Sequence, residues 1–274
     1  MGNNWALLHS FSRNFKNDLS DIKMFSGLMR GMEMFLAGIL VIRFGLEITI
    51  YLSIAFFILG FIILLTTKDG VDEQLKNNKG NIFIFGLGGL KKAMSSKYLL
   101  GTLLLIGLFG SFFMFVKWLL NPFFIFLNID LFWWGIVASV GLLGASLGSL
   151  LYKKLPKNGL LILLFLFIGS LSLLSVKNVA IAVSGLFFFQ VIRGILSVKL
   201  SVLLNSLIND KERASLMSLA SFLRKIFISL ISMIVGYILN LYSFPMVIFV
   251  LVLLIIISSG FILSLFFPAN KLLR

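Results

Sequence analysis

Residues 179–225 read VAIAVSGLFFFQVIRGILSVKLSVLLNSLINDKERASLMSLASFLRK. The first part, Val179–Ser206, is an apolar run long enough to cross a bilayer, which takes about 20 residues of helix. A short charged turn, Asn209 to Arg213, separates it from a second long run, Ala214–Leu241. The first run nevertheless carries Gln190, Arg193 and Lys199, and the second carries Arg224 and Lys225 near its start. A charge at the centre of a membrane helix costs roughly 2.5–3.5 kcal/mol on insertion scales, and such residues usually face a bundle interior or a water-filled path. Arg193 is therefore the first candidate functional residue.

Six further apolar runs lie around this pair: Phe25–Phe44, Ile48–Thr67, Tyr98–Phe126, Leu131–Tyr152, Leu160–Ser175 and Phe244–Phe267. The expected fold class is an all-α polytopic membrane protein with eight transmembrane helices. Gly45 marks a tight turn between the first two runs, and Asn121-Pro122 should stop or kink the helix that contains it. Residues 2–16 place Trp5, Leu7, Leu8, Phe11 and Phe15 at roughly helical spacing, as in a short amphipathic helix or the end of a longer one. Residues 68–81 read as a solvated loop. Residues 82–97 read as an interfacial helix offering Lys91, Lys92 and Lys97 to anionic headgroups.

Composition agrees with a membrane protein. Of the 274 residues, 59% are hydrophobic and 12% charged, against about 25% charged in soluble domains; mean hydropathy is +1.08. The net charge of +14 is better explained by the clustering of basic residues in cytoplasmic loops than by nucleic acid. With the N-terminus inside, sixteen lysines and arginines, Lys23 among them, fall in inside segments and two, Arg43 and Lys177, in outside turns. That bias predicts an integral protein of the cytoplasmic membrane with both termini cytoplasmic. No cysteine is present, which excludes disulfides and thiolate metal sites, and His9 is the single histidine. Residues 1–21 lack the apolar core of a signal peptide.

Asn205–Ser221, NSLINDKERASLMSLAS, resembles the cytoplasmic turn between helices ten and eleven of major facilitator superfamily transporters. The matching residues are Asn205, Asp210, the Arg213-Ala214 pair and the Ser218-Leu219 pair. Gly144–Lys154 resembles the end of the eighth helix and the basic turn after it, and residues 2–12 resemble the end of the fourth, through Gly2, Ala6, Leu7 and Ser10. The order of runs matches as well: two helices, a long loop with an interfacial segment, then six helices. The resemblance implies a chain covering the last eight of twelve helices, truncated at its N-terminus. Residues 1–67 would be a remnant of the N-terminal half, 68–97 the cytoplasmic loop, and 98–274 the six-helix C-terminal half. It further implies secondary transport, by alternating access, of a small-molecule solute bound at a central site between two halves. The expected partners are the lipid bilayer, that solute, and a missing N-terminal half or a second copy to complete the cavity. The alternative is a non-transporting fragment or a partner subunit of a larger permease.

Gln190 and Arg193, three residues apart, share a helix face. On the resemblance they contact substrate; otherwise Arg193 is satisfied by neighbouring polar groups. Lys117 and Asn121 would line the same cavity from the seventh helix, or Lys117 would reach the outer headgroups. Arg30 and Glu33 are also three apart. Glu33 would serve proton coupling, or would be held charged and inert by Arg30. Asn205, Asp210, Arg213 and Lys225 would belong to the cytoplasmic turn and inner gate. Gly27-x-x-x-Gly31 and Gly144-x-x-x-Gly148 are small-residue faces that let helices approach closely, and their two helices are expected to touch. Trp133-Trp134 reads as an interfacial anchor. No phosphate loop, no HExxH and no acidic cluster fit for a metal appears, so neither an enzyme nor a cofactor is expected.

Overall fold

The computed structural model describes residues 3–45, 47–66, 91–154, 159–208 and 210–267. All elements among them are helical: α1 Asn3–Phe44, α2 Glu47–Thr66, α3 Lys97–Trp118, α4 Leu120–Phe126, α5 Leu131–Leu151, α6 Leu160–Leu173, α7 Val179–Leu207, α8 Asp210–Leu241 and α9 Phe244–Phe266, with a 3₁₀ turn at Tyr152–Lys154. The expected loop at 68–81 and most of the interfacial segment lie outside the described residues; 91–95 are helical.

Among the described residues, six segments are long and apolar enough to span a membrane: Asn17–Phe44, Lys97–Trp118, Leu131–Lys154, Val179–Leu207, Arg213–Leu241 and Phe244–Phe266. The described apolar parts of α2 and α6 are shorter. At 14 residues, α6 rises about 21 Å, less than the hydrocarbon core of about 30 Å.

The ends of the helices follow from local chemistry. Gly45 has φ +81°, and its N–H donates to the Val41 carbonyl at 2.8 Å. This is a left-handed helix stop, which glycine adopts without steric cost. The long run at 98–126 breaks at Leu119, between α3 and α4. A proline ring clashes with the carbonyl four residues before it, and the residue four before Pro122 is Trp118, where α3 ends. Ser96 caps α3 and Asn178 caps α7 through their side-chain oxygens.

α1 departs from the expected division. One helix runs without a break from Asn3 to Phe44, because no glycine or proline interrupts it before Gly27. Its 42 residues extend about 63 Å, twice the hydrocarbon thickness.

Helices α3, α6, α7 and α9 form the centre of the bundle, α5 lies on α7, α1 lies on α5, and α8 lies on α3. Four phenylalanines lock the centre. Phe167 of α6 meets Phe109 and Phe113 of α3 edge-on, each at 5.6 Å between ring centroids, and meets Phe189 of α7 at 5.1 Å. α2 packs on α1 and is otherwise exposed.

Candidate functional site

Lipid tails are as apolar as leucine, so membrane helices associate through close packing and polar contacts rather than through the hydrophobic effect. α5 supplies that packing on two faces. On one, Gly144 and Gly148 lie against α7. A Cβ on Gly144 would sit 3.0 Å from the Phe187 carbonyl oxygen, and one on Gly148 would overlap that of Val191. Gly194 of α7 answers, since a Cβ there would overlap the Ala145 carbonyl oxygen. The other face of α5 meets α1: a Cβ on Gly27 would overlap Ser146 Oγ, and one on Gly38 would lie 3.3 Å from Gly135 Cα. The two helices carrying the glycine pairs are therefore in contact, but the pairs do not face each other. Gly27 and Gly31 pack on α5, whereas Gly144 and Gly148 pack on α7.

Two cavities follow one another along the groove over α3 and α7. The middle cavity, about 220 Å³, is lined by Arg30, Glu33 and Met34 of α1, Lys117 of α3, and Gln190 and Arg193 of α7, with Leu120, Ala138, Leu142 and Leu186 completing the wall. The second, about 250 Å³, lies nearer the end where α3 starts and α7 finishes. Lys23 of α1, Phe109, Gly110 and Phe113 of α3, Ser197 and Ser201 of α7, and Met217 and Arg224 of α8 line it.

In the middle cavity Arg193 Nη1 donates to Gln190 Oε1 at 2.8 Å. Gln190 is buried against Gly141, where an added Cβ would approach its Cγ to 3.5 Å. The small residue on α5 thus makes room for the glutamine that positions the arginine. Among the described residues neither Arg30 nor Glu33 takes part in an ion pair, although both line the same cavity. Three cations (Arg30, Lys117, Arg193) and one carboxylate face a single space. That balance suits a solute with a negatively charged group and leaves Glu33 for a positive charge or a proton.

Five of the candidates read from the sequence, Arg30, Glu33, Lys117, Gln190 and Arg193, thus meet at one place. Asn121 does not: it is exposed on α4, and Leu120 takes the cavity-facing position. Asn205 Nδ2 donates to the Ser201 carbonyl at 2.7 Å. Arg213 and Lys225 are exposed, and the side chain of Asp210 lies outside the described residues. Trp133 is exposed, while Trp134 is half-buried and donates from Nε1 to the Ile129 carbonyl at 2.7 Å.

Lys23, assigned from the sequence to a cytoplasmic segment, belongs to the bundle. Its Nζ donates to the Ser197 carbonyl at 2.5 Å and to Ser201 Oγ at 2.8 Å. The signal was present, since Lys23, Gly27 and Arg30 recur at helical spacing on one face.

No protein-family model, curated protein or solved structure matches this chain.

Proposed function

We propose that the chain moves a small anionic or zwitterionic solute across the membrane by alternating access, as a secondary transporter of major facilitator type. The observation that carries this reading is the middle cavity, where Arg30, Glu33, Lys117, Gln190 and Arg193 converge from three helices. Intramembrane charges are costly and mark solute or proton paths, and sites near the midplane are the rule for such carriers. Arg193, set by Gln190, binds the anionic group; Lys117 and Arg30 add positive potential; Glu33 carries the coupling proton. Eight crossings fit this reading. α5 and α7 run parallel, since Gly144 and Gly148 face Phe187 and Val191 in the same order, which supports a return crossing between them through α6.

The test is uptake into proteoliposomes. Uptake of an organic anion from a mixed solute panel, lost in Arg193→Ala protein that still folds, supports the reading. Equal uptake by the Arg193→Ala protein overturns it.

The second reading is a subunit that works only beside another membrane polypeptide. Arg30, Glu33, Arg224 and Lys225 are exposed on helices whose surroundings would be lipid, and charges are not left in lipid. Cross-linked assemblies in native membranes, with an inactive isolated chain, favour this reading.

A further inference from the structure

We propose that the second cavity, between Lys23 of α1 and Arg224 of α8, binds an anionic amphiphile: a phosphate or carboxylate headgroup carrying an apolar body. This site is separate from the middle cavity, and the inference does not rest on transport.

Lys23 and Arg224 line the same space, and among the described residues no carboxylate lines it. The middle cavity differs, because Glu33 supplies a negative charge there. Among the described residues neither Lys23 nor Arg224 is in an ion pair. Two cations without a counter-charge in a membrane-embedded groove are unfavourable, and a bound anion relieves both.

Donor accounting agrees. An ammonium has three N–H donors; Lys23 directs Nζ at the Ser197 carbonyl and Ser201 Oγ, which leaves one. Those two bonds also fix where the charge sits. A guanidinium has five donors, and among the described residues Arg224 makes no hydrogen bond. Its aliphatic stem is seated over α3 because residue 110 is glycine: a Cβ there would stand 2.9 Å from Arg224 Cδ. Apart from Ser221, the remaining wall is apolar, with Phe109, Phe113, Leu204 and Met217. One polar end and one greasy wall define a headgroup with a hydrocarbon attached.

The experiment is isothermal titration of the full chain, purified in a neutral detergent, with dihexanoyl phosphatidate, dihexanoyl phosphatidylcholine and inorganic phosphate. The expected result is phosphatidate binding at least tenfold tighter than phosphatidylcholine binding. Arg224→Met and Lys23→Met each weaken it at least tenfold, and Lys154→Met leaves it unchanged. If Lys23→Met protein does not fold, Arg224→Met decides alone, since that side chain is exposed. Phosphatidate binding without phosphate binding identifies a lipid as the source; binding of both, with the same dependence on Arg224, identifies the anion itself. Binding of neither, or binding indifferent to Arg224→Met, overturns the proposal. Because titration needs no translocation, an inactive transporter that still binds phosphatidate separates this inference from the transport reading.

Discussion

Arg193 and Gln190 are joined by a 2.8 Å hydrogen bond along one face of α7, and the bond fixes a guanidinium against the wall of the middle cavity. A hydrogen bond to a charged group contributes about 1.5–3 kcal/mol. On the proposed transport reading, Gln190→Leu should therefore loosen Arg193 and weaken binding of an anionic solute by about tenfold. Gln190→Glu should keep the fold, pair with Arg193 and cancel its charge, so that anion binding is lost. Equilibrium binding of an organic anion distinguishes the two variants; equal affinity in both would show that Gln190 does not act through Arg193.

Close helix packing should dominate stability. Gly148→Ala and Gly194→Ala each place a methyl group against a backbone carbonyl that cannot move aside. Each should destabilise by about 1–3 kcal/mol, as overpacking does. Among the described residues, Gly60, Gly236 and Gly260 have nothing within 4 Å of an added Cβ, so alanine there should be neutral or stabilise by up to about 1 kcal/mol. Thermal unfolding in detergent reads both sets; similar melting in the two would mean that the α5–α7 seam does not hold the bundle together.

The ion pair between Lys153 Nζ and Asp21 Oδ1, at 2.5 Å, should matter far less. Asp21 is half exposed, and exposed pairs contribute about 0–1 kcal/mol. Asp21→Asn is expected to lower the melting temperature only slightly, and in low salt alone. A loss as large as that of Gly148→Ala would place this pair in a buried environment.

Glu33 faces Arg30 on its own helix and Lys117 and Arg193 across the cavity. If it carries the coupling proton, Glu33→Gln should abolish the stimulation of uptake by a pH gradient while sparing solute exchange at equal pH. Gradient-driven uptake that survives Glu33→Gln would assign coupling elsewhere.

The absence of cysteine makes topology directly measurable. Lys177→Cys should react with a membrane-impermeant maleimide from outside intact cells, and Lys154→Cys only after permeabilisation. The reverse pattern would invert the proposed orientation.

What was legible in the sequence was whatever the backbone decides locally. In hydrocarbon each segment must satisfy its own N–H and C=O groups, so long apolar runs become helices wherever they occur. The stop at Gly45 and the break ahead of Pro122 follow from single residues. The Gln190–Arg193 pairing followed from spacing on one helix. Only the tertiary structure decided which faces meet. It turned Gly144 and Gly148 toward α7 rather than α1, left Asn121 outside the cavity, brought Lys23 into the bundle, and set Arg30 and Glu33 opposite Lys117 and Arg193. The physical reason is that lipid and leucine are equally apolar, so hydropathy marks each helix but carries no preference between its faces. Shape and a few polar contacts choose the neighbours, and these appear only when the helices are packed.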